Sequence, residues 1–317
     1  MQASGHPGSA PNDQFFIRGQ HSQAPENRGT RVEAIMSQED TPLPITSSTE
    51  PEWAIAAEAC YRDVIQALQE AQIPSAVGGG FALHKHTGIW RTTKDLDLLL
   101  EPRHVPGALE QLRKAGFETM VKDPVWLAKA FRGNYFVDLI TGVGNASIVV
   151  DASWIERSPT DQILGLPCRV LAAEEMIASK VFVTRRERFD GADVAHLIRA
   201  CGDRLDWQRI LDLLGCHWEL LYWSLVFYAY IYPANISLVP QRIWAELGGR
   251  FQEHVAHPPK EAPSRGSLVD PFMFAIDVNE WGERNLYREY CERHPCLLDE
   301  AAAKGDKSGS PNTGSRE

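Results

Sequence analysis

The chain has 317 residues, enough for two domains, and its 44% hydrophobic fraction can supply a sizeable core. A formal net charge of −10 excludes broad, non-specific nucleic-acid binding, which runs on a positive surface; a local basic groove stays compatible with it. The six cysteines (Cys60, Cys168, Cys201, Cys216, Cys291, Cys296) form no C-x-x-C pair and no zinc spacing, and scattered thiols of this kind fit a reducing cytoplasm.

Residues 1–48 are rich in Ser, Pro, Gln and Gly and lack periodic apolar residues. They are expected to be a disordered extension, and they contain no apolar core of a signal peptide. Order should begin near Pro51. In WAIAAEACYRDVIQALQEAQ the residues Ala57, Cys60, Tyr61, Val64 and Leu68 recur at helical spacing, and Pro74 stops that helix. SAV is a short strand entering the triplet Gly78-Gly79-Gly80. A second helix can begin at Gly80, and DLDLLL is a buried strand. VPGALEQLRKAGF is an amphipathic helix with Gly116 just past its end. FETMV, VWLAKAF and NYFVDLIT follow as strands. This order predicts an α+β fold over 51–165, a mixed sheet with flanking helices.

From about Leu166 the pattern turns helical, and 166–255 is expected to be a mostly helical second domain. AAEEMIASKVFVTRRER, ADVAHLIRAC, WQRILDLLG and HWELLYWSLVFYAYIY all carry helical spacing. The most apolar run, Leu220 to Tyr232, is shorter than the ~20 residues of a membrane span and reads as a buried helix. Residues 256–317 form a partly disordered C-terminal segment whose role the sequence does not give.

The chemistry centres on AVGGGFALHKHTGIWRTTKDLDLLL. Alternate residues of a strand share a face, so Asp95 and Asp97 project together, about 6–7 Å apart at the backbone. Two carboxylates so placed repel, and keeping both ionised needs a cation. Hard divalent ions prefer carboxylate oxygen, and Mg²⁺ suits sites where phosphates complete the ligand set. An exposed strand end with aspartates capping a turn would carry the same tripeptide. The glycines narrow the choice, because a glycine turn into a helix N-terminus offers free N–H groups to an anion.

The segment GGFAL…RTTKDLDLLL resembles the signature of the nucleotidyltransferase superfamily that includes DNA polymerase beta. The resemblance implies a glycine pair, Gly79 and Gly80, presenting backbone N–H groups to a triphosphate. It implies a metal pair, Asp95 and Asp97, holding two Mg²⁺ ions. A third carboxylate belongs on a later strand. Asp138 in YFVDLI is chosen because apolar residues flank it; Asp151 and Asp123 are its rivals. EEMIASKVFVTRRERFDGADVAHL is similar to a segment of bacterial nucleotidyltransferases related to abortive-infection toxins, where a lysine and an arginine precede D-x-x-D. Lys180, Thr184 and Arg188 would share one helix face, so Lys180 and Arg188 are expected to meet the phosphates. Asp190 is read as a helix N-cap with Asp193 at N3. Arg91 either touches phosphate or pairs with Glu101.

Together these imply Mg²⁺-dependent transfer of a nucleoside monophosphate from an NTP to a hydroxyl, with pyrophosphate released. The acceptor stays open among RNA, a protein and a small molecule. Two alternatives remain: a catalytically silent module such as a toxin–antitoxin partner, and a phosphotransferase on the same scaffold. No membrane association is expected.

Overall fold

The computed structural model describes residues 55–293 except 92 and 94, together with the backbone of 45–46. The expected disordered stretch 1–48, that pair apart, and the C-terminal tail from 294 lie outside the described residues.

In chain order come β1 (Ile45–Thr46), α1 (Ile55–Glu70), β2 (Ala76–Val77), α2 (Gly79–Thr87), β3 (Trp90–Arg91), β4 (Asp95–Leu99), α3 (Val105–Lys114), β5 (Glu118–Asp123), β6 (Leu127–Arg132) and β7 (Tyr135–Ile140). Five of these strands form one mixed sheet in the order β2-β4-β7-β6-β5. The β4–β7 pair is parallel, and the other three pairs are antiparallel.

Strand alternation decides which face of the sheet carries chemistry. In β4, Leu96 and Leu98 are buried on one face, against which α1 and α3 pack, and Asp95 and Asp97 lie half-buried on the other. α1 turns Cys60, Tyr61, Val64 and Leu68 into the core, and α3 turns in Val105, Ala108, Leu109 and Leu112. These are the residues that recur at helical spacing. Gly116 follows α3 with φ +84, and the amide of Phe117 reaches back to Leu112 O at 2.9 Å. That closure explains why the helix stops there.

A hairpin of β8 (Gly142–Val143) and β9 (Ile148–Val149) comes next, then α4 (Ala152–Arg157) and a hairpin of β10 (Thr160–Ile163) and β11 (Leu166–Arg169). The helical half follows: α5 (Ala173–Lys180), α6 (Gly191–Cys201), α7 (Trp207–Leu214), α8 (Trp218–Ile231) and α9 (Gln241–Ala256). Three short helices, α10 (Gly266–Val269), α11 (Ala275–Asn279) and α12 (Leu286–Arg293), complete the described chain.

Two helical expectations are corrected. The predicted helix through Arg188 ends at Lys180, because Val181-Phe182-Val183-Thr184 is a β-branched and aromatic run with low helix propensity. The chain folds back there through a Thr184–Phe189 bridge, and the Asp190 amide donates to Val183 O at 3.0 Å. Helix α8 is also less enclosed than its apolar sequence suggests. Leu221, Leu225 and Tyr228 are fully buried, but Trp223, Val226 and Tyr230 are exposed. The stretch Trp207–Ile231 is long and apolar enough to cross a membrane by length and composition, and 39% of its apolar 18-residue portion is buried inside the protein.

The C-terminal segment is pinned to the sheet half. Asn145 Nδ2 donates to Leu268 O at 2.7 Å, and the Tyr287 hydroxyl donates to the Asp123 carboxylate. Asn145 has φ +51, between Gly144 at +59 and Ala146 at +70. Asparagine tolerates this left-handed conformation better than alanine does. Asn145→Ala therefore loses a hydrogen bond and gains backbone strain. Urea titration should show a loss of about 1–2 kcal/mol.

Candidate active site

The carboxylates are brought together by strand register. Asp97 lies directly across from Asp138 in the parallel β4–β7 pair, and Asp95 precedes Asp97 by two residues on the same face. Each of the three offers a carboxylate oxygen within 4.8 Å of the others. The rivals lie elsewhere. Asp151 caps α4 by accepting from the Ser153 amide at 2.8 Å, and Asp123 accepts from the Val125 amide at 2.9 Å and from Tyr287.

This concentration of negative charge has a measurable signature. Burial, then Asp95, then Asp138 push the Asp97 carboxyl up to about 7. Burial also raises Asp138, with Lys129 opposing it. Lys129 stands opposite Asp138 in the β6–β7 register, and its ammonium lies 2.8 Å from the carboxylate. The Thr93 hydroxyl donates to Asp95 Oδ1 at 2.6 Å. One lysine against three acids leaves the group short of positive charge, and the donors are all hard oxygens. The site therefore fits a divalent cation of the Mg²⁺ type.

The glycine turn sits against this row. The Gly78 amide donates to Asp97 O at 2.9 Å, which docks the turn on β4. Gly79 opens α2 with φ +54, and a Cβ there would fall 1.7 Å from Asp97 Oδ2. Only glycine lets the backbone come this close. Gly80 is already within the helix, and a Cβ there would meet Thr93 at an ordinary 3.4 Å. The first-turn amides of α2 have no intrahelical acceptor, which leaves a donor cluster beside the carboxylates.

Cations come from the helical half. Lys180 is 7% exposed, and its ammonium bonds Asp190 at 2.8 Å and Asp193 at 2.6 Å. Burial pulls its pKa down, and Asp190 opposes that pull. Burial would raise the Asp190 carboxyl, but Lys180 and Arg188 outweigh it and hold the group at about 2. Arg188 grips Asp190 through Nε at 3.1 Å and Nη2 at 3.2 Å, and its side chain is 67% exposed. Asp190 does occupy the N-cap position of α6, but its side chain makes no capping bond, because both cations claim it. Arg91 pairs with Asp193 and not with Glu101, whose partners are Arg103 and His104. Arg188 and Lys180 thus meet through the 183–190 turn and not along one helix face.

One cleft of about 220 Å³ lies between the sheet and the helical half. Gly79, Asp97, Asp138, Lys180 and Arg188 line it. So do Trp126, Asn145, Leu268 and Val269, which no sequence motif singles out. No motif singles out Lys129 either; a lysine alternating with the buried Ala128 and Ala130 in a strand is the one available signal.

A mixed sheet with paired aspartates on one strand, a third on its parallel neighbour, and a glycine turn into a helix defines the class: the chain carries a nucleotidyltransferase-like fold. Residues 57–211 match the family described as nucleotidyl transferase of unknown function (DUF2204). Among solved structures, the antibiotic-resistance factor ANT(2'')-Ia in solution is similar at 18% identity, over 55% of this chain and 97% of that one, with a TM-score of 0.38. An antigenic nucleotidyltransferase-like protein from Paracoccidioides brasiliensis is similar at 17% identity, over 58% and 93%, with a TM-score of 0.36. JHP933 from Helicobacter pylori is similar at 15% identity, over 73% and 99%, with a TM-score of 0.34. No curated protein matches the sequence.

Proposed function

We propose that the protein transfers a nucleoside monophosphate from an NTP to a hydroxyl acceptor, releases pyrophosphate and depends on Mg²⁺. The observation that carries this reading is the convergence of three carboxylates from paired strands within 4.8 Å, against a glycine turn that only a missing side chain permits. Asp95, Asp97 and Asp138 would hold the metal as a two-ion site. Bound Mg²⁺ would supply charge neutralisation for the phosphates and help to activate the attacking oxygen.

The chain's own residues do the remaining work. The free amides at Gly79 and Gly80 point donors at the β- and γ-phosphates. Arg188 pivots on Asp190 with enough freedom to reach phosphate oxygens, and Lys180 anchors that pivot from beneath. Asp138, the carboxylate furthest from the glycine turn across the sheet, takes the proton of the acceptor hydroxyl. Lys129 holds Asp138 in place. Phosphoryl chemistry asks for little beyond such positioning and electrostatics. The five described cysteines are all unpaired, which supports a reducing, cytoplasmic setting.

The test is pyrophosphate release from each NTP in the presence of Mg²⁺ and a cell extract. Release should require the metal, stop on chelation and be lost in Asp95→Asn. Unchanged NTP consumption by that variant overturns the assignment. A silent binding module would show neither release nor metal-dependent nucleotide binding.

A further inference from the structure

The cleft is polarised, and its two ends differ in chemistry. The register places Asp97, Asp138 and Lys129 in one row across the sheet, and Leu99, Ile140 and Leu127 in the next row along the strands. Beyond Asp138, the cleft is lined by Trp126, Val143, Phe182, Leu268 and Val269. This end is apolar, and the pinned helix α10 walls it. That wall is fixed by the Asn145–Leu268 bond and by Arg265, which lies 3.0 Å from Glu219 and donates to Cys216 O at 2.8 Å.

Resting on the proposed function, the direction of attack assigns this end. The attacking and leaving oxygens lie roughly in line across phosphorus. Pyrophosphate belongs at the glycine turn, on the β2–β4 side of the sheet. The acceptor must then enter from the β7–β6 side, where the apolar walls stand. Among the described residues three cations line the cleft, Lys180, Arg185 and Arg188, and Lys180 and Arg188 are tied to Asp190. Lys129 is bound to Asp138, and Arg185 lies 3.4 Å from Asn145 Oδ1. Arg185 is the one lining cation without a carboxylate partner among the described residues, far short of what a run of phosphates requires. The Trp126 indole N–H is buried without an acceptor, so it is a donor in want of a ligand oxygen or nitrogen.

We infer that the acceptor is a compact alcohol with an apolar body and a hydrogen-bond acceptor for Trp126, bound between Trp126, Val143 and the α10 wall, and not an RNA end. The step is balanced. The acceptor oxygen bonds to the α-phosphorus, the bond to pyrophosphate breaks, and the hydroxyl proton passes to Asp138.

The experiment supplies the full-length protein with Mg²⁺ and α-labelled NTPs, separately with the metabolite, RNA and protein fractions of a cell extract. Wild type should label the metabolite fraction. Val269→Trp, which fills the acceptor end, should lower that labelling roughly tenfold to hundredfold. Trp126→Phe, which removes the N–H with one ring of the indole and keeps an aromatic wall, should raise the acceptor KM by roughly tenfold. Calorimetry with Mg²⁺ and ATP checks that each variant is folded; where Val269→Trp fails that check, Trp126→Phe decides. Label in RNA or protein overturns the acceptor class and leaves the nucleotidyltransferase reading standing. So does metabolite labelling by folded variants at the wild-type rate. No label in any fraction overturns both.

Discussion

Gly79→Ala is expected to abolish transfer while the protein stays folded. Two independent costs meet at this position. The residue sits at φ +54, where a side chain costs about 1–2 kcal/mol. The added Cβ would also lie 1.7 Å from Asp97 Oδ2, so the carboxylate must leave its place in the row. Displacing a catalytic group by about 1 Å costs roughly a hundredfold in rate, and here the same change disturbs the amides proposed to face the phosphates. Pyrophosphate release should therefore fall by at least that factor, with circular dichroism near that of wild type. Gly80→Ala is the matched control. Its Cβ would meet Thr93 at 3.4 Å with no positive φ to strain, so activity should change little. Equal losses in the two variants would show that the glycines act as a flexible turn and not through close approach.

The contrast between the two glycines also shows how far the sequence carries the fold. Periodicity marked α1, α3 and the strands around Asp95 and Asp138, because in those segments local spacing and burial agree. The same argument could not separate Gly79 from Gly80, since the close approach is to a side chain on another strand. Local spacing failed outright at 180–188. Lys180 and Arg188 look like one helical face, yet a β-branched run breaks the helix and a turn brings them to Asp190. The pairing of Arg91 with Asp193 spans β3 and α6, and no local pattern encodes it. The wall at Leu268 and Val269 comes from nearly two hundred residues beyond the glycine turn. It was illegible because it is made by a long-range bond to Asn145.

Asp97→Asn separates function from stability. It removes a proposed metal ligand, so transfer should fall by roughly 10²–10³-fold or more. In the metal-free protein the same change should be stabilising. The Asp97 carboxyl titrates at about 7 in the folded chain, against an ordinary carboxylate value of 3.8. Between those values the folded state binds more protons than the unfolded one, so this group's contribution to stability falls as pH rises through that window. Above about pH 7 the penalty is complete, because the folded chain must carry the charge. Asparagine carries none. In EDTA at about pH 8 the variant should be more stable by about 2 kcal/mol, a figure discounted for the solvent that reaches the cleft. The gap should narrow as pH falls below 7 and close in the ordinary carboxylate range. Mg²⁺ should raise the Tm of wild type at about pH 8 and do less for the variant, because an ion that binds only the folded state stabilises it by mass action. Thermal scans with and without Mg²⁺ check each point. A variant no more stable than wild type in EDTA would mean that the three carboxylates do not strain the empty fold, and that the charge they hold is met by the protein alone.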